Sequence, residues 1–114
     1  MATIKSYTDL EQSKKLAEIL PIESADMYYS YRKDKPEFLP ISDVDVKCLS
    51  QPCWSLAALH GILNENKICH YNERYYCQYI REGDEFPIYS TAAYNNPIDA
   101  CYKMILKLHE LNLL

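Results

Sequence analysis

The chain has 114 residues, of which 48% are hydrophobic and 25% charged, with a formal net charge of −4. This length fits one compact domain, and this composition excludes a disordered tail, a collagen-like repeat and a polar linker. Because the chain is acidic overall and its basic residues do not cluster, nucleic acid is disfavoured as a partner. We therefore expect a single domain over residues 1–114.

The N-terminal residues lack the apolar stretch of a secretory signal, and no run approaches the ~20 apolar residues that a membrane-spanning helix needs. These features predict a reducing, cytoplasmic location and no membrane partner. The five cysteines are then expected to be free thiols, and their odd number prevents complete pairing within one chain.

The first predicted element is an amphipathic helix. Its start is a capping box at residues 8–11, in which Thr8 caps the helix and Glu11 reaches back. Apolar residues then fall on one face until Pro21 ends the helix.

A strand and a long loop follow the first helix. Residues 26–31 are rich in aromatic side chains, which predicts the strand. Residues 32–46 contain two prolines and several acidic residues. This pattern predicts a mobile surface loop with a short extended piece near residues 38–41.

A second helix is predicted to begin at Pro52, because proline suits a first helical turn. Residues 53–63 are apolar almost all round, which is typical of a short buried helix. Asn64 can adopt the left-handed conformation that often ends a helix. This central helix would carry Cys53 at its N-terminus.

The remaining chain predicts a β-meander and a final helix. Short β-prone runs at residues 68–71, 75–81 and 86–90 are separated by turn-forming residues. Asn96 then caps a helix that has Pro97 in its first turn and one apolar face. The order of elements predicts an α+β fold with three helices packed on a small three- to four-stranded antiparallel sheet.

Cys53 carries the enzymatic alternative, because a thiol at a helix N-terminus is more acidic than usual. Residues 51–58 resemble the nucleophile segment of papain-like cysteine proteases, which implies attack by Cys53 with His70 or His109 as base. The segment departs from that family, since Gln51 lies too close to the cysteine, the usual glycines are absent and the chain is too short for two lobes. Core packing of Cys53 is the favoured interpretation.

The cysteines and histidines lack the paired spacing of a structural zinc site. No C-x-x-C occurs, and the neighbours Cys69 and His70 would face opposite sides of a strand. The chain's two glycines, Gly61 and Gly83, form no phosphate-binding loop. We therefore predict no metal site, no cofactor and no catalytic residue.

Tyrosine is unusually frequent, with 11 residues among 114. It offers a large contact area with a polar tip, so it is enriched in binding surfaces. Because side chains alternate along a strand, Tyr75 and Tyr79 share one face and Tyr76 lies on the other. One of these faces is expected to be exposed. We predict that the binding residues are Tyr75, Tyr76, Tyr79 and Tyr89.

A resemblance spans most of the chain and rests on three segments, which are residues 25–29 (ADMYY), 52–59 (PCWSLAAL) and 96–105 (NPIDACYKMI). These segments resemble short, functionally uncharacterised proteins common in phages and mobile elements of gut bacteria. The resemblance implies a fold and a genomic setting, and it assigns no catalytic residue. Small accessory proteins in such settings often bind a host component, which favours an interaction function.

The sequence thus predicts a non-enzymatic, acidic module that binds a protein partner through a Tyr-rich face, with a homodimer as one form of that partner. In a second hypothesis, a Tyr-lined pocket holds a small-molecule or nucleotide-derived ligand, and the acidic loop near Asp43 and Asp45 acts as a lid. A thiol hydrolase based on Cys53 is the third hypothesis. A solvent-facing Cys53 beside an imidazole would favour that chemistry.

Overall fold

The fold is α+β, as predicted, with three α-helices among the residues described by the computed structural model, which are 6–29, 36–38, 51–63, 66–80, 83 and 85–114. The helices are α1 (Leu10–Ala17), α2 (Leu56–Ile62) and α3 (Pro97–Glu110). The strands are β1 (Met27–Tyr29), β2 (Pro36–Phe38), β3 (Gln51–Cys53), β4 (Asn66–Tyr71), β5 (Arg74–Tyr79) and β6 (Tyr89–Ser90). A single 3₁₀ turn, Ile22–Ser24, follows α1.

The described strands form two antiparallel sheets of three strands each, with the orders β2-β1-β3 and β4-β5-β6. The second sheet is the predicted meander. The first sheet adds two strands that the sequence analysis did not separate, because β2 lies where a loop was predicted and β3 lies where a helix was predicted. The predicted mobile loop, residues 32–46, falls largely outside the described residues, and the predicted extended piece near residues 38–41 is represented only by the end of β2.

The capping box of α1 is offset by one residue from the prediction. Asp9 is the N-cap, and its carboxylate accepts the Gln12 backbone N–H at 2.8 Å while Gln12 Oε1 accepts the Asp9 N–H at 3.2 Å. Thr8 and Asp9 are both good caps, and each has a suitable partner three residues later. The sequence therefore could not choose between them. Asp9 is the cap in the structure, because the side chain of Thr8 is fully buried and makes other contacts.

The start of α2 is also later than predicted. Pro52 and Cys53 belong to β3, which pairs with β1, and Ser55 is the N-cap. The Ser55 hydroxyl accepts the Ala58 N–H at 3.2 Å and donates to the Asp26 carboxylate, which also accepts the Ser55 N–H at 2.9 Å. Proline suits both the start of a helix and the edge of a sheet. Pro52 lies in a strand because its segment pairs with β1.

The main core combines buried residues of the three helices with Cys77 and Tyr79 of β5. The final helix has the predicted cap, because the Asn96 side chain accepts the Asp99 N–H at 2.9 Å and Pro97 follows. The buried residues of this helix pack on the second sheet, and they are Ile98, Cys101, Met104, Ile105 and Leu108. Among the described residues, none of the helices combines the length and apolar character required to cross a membrane.

Candidate functional site

The structure divides the four predicted binding tyrosines between the two faces of the second sheet. Tyr75, Tyr79 and Tyr89 share the face on which α3 packs, and Tyr79 is only 7% exposed. Tyr76 lies on the opposite face and is half-buried. Alternation along the strand was predicted, but the four residues do not form one continuous surface. Their role in binding stays a prediction.

We call the face that carries Tyr76 the outer face. Tyr71 lies opposite Arg74 on it, and Tyr76 lies opposite Cys69. Tyr71 is 71% exposed, and the Arg74 guanidinium is held by a hydrogen bond from Nη1 to the Ala93 carbonyl at 3.2 Å. Tyr71 and Tyr76 are diagonal neighbours, a spacing at which aromatic side chains can act together. The sequence analysis missed Tyr71 and Arg74.

A two-residue turn joins β4 to β5 and fixes their register. Asn72 and Glu73 have φ angles of 51° and 61°. Positive φ at both central residues is the mark of a type I′ turn, whose twist matches that of the flanking strands. In such a hairpin Tyr71 and Arg74 form a hydrogen-bonded pair. The short turn at residues 72–73 was the sequence signal that could have placed these two residues together.

The same register shows which backbone groups lie on the outer edge of β4. Hydrogen-bonded and non-hydrogen-bonded pairs alternate along an antiparallel ladder. The N–H and C=O groups of Asn66, Ile68 and His70 are therefore directed away from β5. Tyr75 confirms the alternation on β5, because its N–H and C=O both bond to Tyr94 at 2.7 Å, on the β6 side. In the described part of the chain, no residue bonds to the outer edge of β4.

Cys53, the predicted nucleophile of the enzymatic alternative, lies in β3 and is 0% exposed. Its thiol donates to the Thr8 carbonyl at 3.3 Å, and the Tyr29 hydroxyl donates to the same carbonyl at 2.8 Å. Burial raises the pKa of the Cys53 thiol, and the hydrogen bonds with Thr8 only partly oppose that rise. The residue is not at a helix N-terminus. These observations oppose a nucleophilic role for Cys53.

Among the described residues, two of the other thiols contact each other in the core. The Sγ atoms of Cys77 and Cys101 lie 3.8 Å apart in the core, and this contact together with burial raises the pKa of Cys77. His70 stacks on Tyr75 with ring centroids 4.4 Å apart, on the face opposite Cys69. No cluster of His, Cys, Asp or Glu side chains among the described residues could hold a metal ion.

A cavity of about 460 Å³ lies at the other end of β5 from the hairpin turn. Tyr79 is the tyrosine among its described lining residues, which are Ile19, Leu20, Pro21, Ser24, Ile62, Tyr79, Leu108, His109, Leu113 and Leu114. Its volume falls within the range of small-molecule pockets. The loop near Asp43 and Asp45, predicted as a lid, lies outside the described residues.

No protein family, curated protein or solved structure matches this chain. The geometry itself therefore carries any argument about function. Within the described residues it offers two features that can bind another molecule. One is the outer edge of β4 with the outer face beside it, and the other is the cavity.

Proposed function

We propose that the protein is a non-enzymatic binding module that recognises a protein partner by adding a strand to the outer edge of β4. The observation that carries the proposal is a six-residue edge strand whose outward backbone groups, at Asn66, Ile68 and His70, bond to no described residue. Such an edge is a template for another extended chain. Main-chain hydrogen bonds then supply affinity in a way that depends little on the partner's sequence.

The outer face supplies selectivity in this proposal. Tyr71, Arg74 and Tyr76 lie on the two strands nearest the edge, and tyrosine and arginine dominate the energetics of many interfaces. The Tyr-rich face predicted from the sequence is thereby divided. Tyr76 contacts the partner, whereas Tyr75, Tyr79 and Tyr89 hold the sheet against α3.

A second copy of the chain is the partner that we consider first. A two-fold axis perpendicular to the sheet keeps each face on its own side, so it can set Ile68 opposite Ile68 of the other copy and Asn66 opposite His70. This register forms about six main-chain hydrogen bonds, two for each outward pair. A one-strand interface is small, and each copy carries a net charge of −4. We therefore expect a weak homodimer that salt strengthens by screening the repulsion.

The proposal extends to the setting of the protein. We propose an accessory role in a phage or mobile element, supported by the resemblance described above, in which a host protein is the alternative partner. We also propose a cytoplasmic location.

The decisive variant is His70→Pro. The His70 N–H is directed away from β5, so proline removes no hydrogen bond of the hairpin, and edge strands tolerate proline at such positions. Proline does remove one donor from the outer edge and obstructs an added strand. His70→Thr is the matched control, because it keeps the N–H and, like the proline variant, loses the imidazole that stacks on Tyr75.

Wild type and both variants are compared by sedimentation velocity over a range of concentrations and by binding to extended peptides selected from a display library on the wild type. Circular dichroism verifies that all three are folded. We expect self-association or peptide affinity to fall about tenfold or more in His70→Pro and to stay near wild type in His70→Thr. Equal binding by the two variants would overturn the proposal, as would a wild type that stays monomeric and selects no peptide.

A further inference from the structure

The cavity at the end of β5 has a buried floor and an exposed rim. Leu20, Tyr79 and Leu108 form the floor, because each of them is buried. Leu113 and Leu114, which come after α3, are exposed and form part of the rim. A molecule that enters the cavity would remove apolar side-chain surface of these two leucines from water, which favours binding of an apolar body.

The lining is mainly apolar and the volume suits a small organic molecule. Seven of the described lining residues are aliphatic or proline, and Tyr79 adds an aromatic ring. The volume of about 460 Å³ is about three times that of an apolar cavity that holds one benzene molecule. The cavity therefore has room for an aromatic ring with a short alkyl chain.

Two polar groups of the described lining already have partners within the protein. The Ser24 hydroxyl donates to the Pro21 carbonyl at 2.6 Å and accepts from Trp54 Nε1 at 3.0 Å. The Leu108 carbonyl, near the end of α3, accepts the Leu113 N–H at 2.8 Å. A ligand with several hydrogen-bonding groups would lose water and gain few new bonds from these groups.

The described side chains direct no fixed charge into the cavity. His109 and Tyr79 are the ionisable side chains of the described lining, and His109 is exposed at the rim. Lys107 lies in the same last turn of α3 but outside the described lining. Its Nζ is 5.4 Å from the centre of the Tyr89 ring and 3.7 Å from the Glu110 carboxylate. A charged ligand would therefore lose hydration without a dedicated partner.

We propose that this cavity is a binding site for an uncharged, mainly apolar small molecule with an alkyl or aromatic body. The body lies on the buried floor, and a single polar group of the ligand faces the rim beside His109. This ligand class narrows the small-molecule hypothesis and opposes a nucleotide-derived ligand, because the described lining offers a phosphate only the exposed imidazole of His109. The site is separate from the outer edge of β4, because no described lining residue belongs to that strand.

Three probes with one apolar body test whether the ligand is neutral. Phenylpropanol is uncharged, phenylpropylamine is cationic and phenylpropanoate is anionic, and each is titrated calorimetrically into the wild-type protein. We expect saturable binding of the alcohol, with both charged probes about tenfold or more weaker. Absence of saturable alcohol binding would overturn the proposal, and so would equal or tighter binding of either charged probe.

Two matched variants test the location. Leu113 and Leu111 are almost equally exposed, at 44% and 43%, but Leu111 is not among the described lining residues. Leu113→Ser should lower the affinity for phenylpropanol about fivefold, because it removes apolar contact at the rim, whereas Leu111→Ser should bind as wild type does. Circular dichroism verifies that both variants are folded.

Equal affinity of the two leucine variants for phenylpropanol would overturn the location. His70→Pro should bind phenylpropanol as wild type does, because the substitution lies on the edge of β4 and not in the described lining. This proposal and the proposed function therefore fail separately.

Discussion

The two sheets of this protein differ in what lies beside β3 and beside β4. Beside the first sheet, residues 6–8 pair with the segment that follows β3, where the Thr8 N–H donates to the Trp54 carbonyl at 2.9 Å and the Leu56 N–H donates to the Ser6 carbonyl at 3.1 Å. On the second sheet, no described residue bonds to the outer edge of β4. The pairing that follows β3 contributes to folding, whereas the edge of β4 is the one that we propose receives another chain.

Side chains show the same difference. Thr8 is 0% exposed, and its hydroxyl accepts the Trp54 N–H at 3.2 Å while it contacts the hydroxyl of Ser13 at 2.7 Å. Polar groups beside the first sheet are therefore satisfied by hydrogen bonds inside the protein. The outer face of the second sheet instead presents Tyr71 and Arg74 to solvent. Under the proposed function, stability and recognition are divided between two parts of the protein.

The largest expected effect is at Trp54, which directly follows β3, is fully buried in the main core and donates from Nε1 to Ser24. Trp54→Ala should lower the free energy of unfolding by about 3–5 kcal/mol, because it leaves a large cavity. Urea unfolding followed by circular dichroism measures this change. Trp54→Phe, which keeps an aromatic ring, should cost less. A loss below about 1 kcal/mol in Trp54→Ala would contradict the view that this region supports the fold.

A smaller effect is expected when the buried hydroxyl of Thr8 is removed. Thr8→Val keeps the shape but leaves the Trp54 N–H and the Ser13 hydroxyl without this partner, which should cost about 1–3 kcal/mol. Thr91→Val is the matched variant in the second sheet, where the hydroxyl accepts the Cys77 N–H at 2.9 Å. Thermal and urea unfolding compare the two. If Thr91→Val costs more than Thr8→Val, the proposed division between the sheets is wrong.

The turn of the hairpin predicts a stabilising substitution. Glu73 has a φ angle of 61°, in the left-handed region that its side chain disfavours. Glu73→Gly should raise the free energy of unfolding by about 1 kcal/mol, because glycine suits the second position of a type I′ turn. Glu73→Ala keeps Cβ and should not stabilise. Unfolding midpoints of both variants measure the effect, and a destabilised Glu73→Gly would refute this account of the turn.

The smallest effect on stability is expected on the outer face. Tyr71 is largely exposed, so Tyr71→Ser should change the free energy of unfolding by less than about 0.5 kcal/mol. The same substitution should weaken self-association or peptide binding, since it removes an aromatic contact beside the edge. Sedimentation and urea unfolding on one preparation give both values. A large loss of stability without a loss of binding would assign Tyr71 to the fold and remove it from the proposed surface.

The candidate surface was only partly predictable. Alternation along a strand correctly separated Tyr76 from Tyr75 and Tyr79, because side chains change face at every residue. It could not show which face α3 covers, since that depends on packing between distant segments. Tyr71 and Arg74 were missed for a related reason, as their pairing follows from the conformation of the two residues between them.

Local signals decided the parts of the fold that the sequence predicted well. The cap at Asn96 with Pro97 behind it, the apolar row of the last helix and the run of three short strands lie within short stretches of chain. The class, three helices with small antiparallel sheets, follows from their order.

Only the tertiary structure could decide the first sheet and the environment of Cys53. Residues 51–53 have the composition of a helix start, yet they pair with residues 27–29, and Thr8 reaches Cys53 across 45 positions of the chain. Such contacts depend on which distant groups meet and on the loss of water around them. A local sequence pattern predicts neither of these. The same physics buried the thiol that resembled a nucleophile.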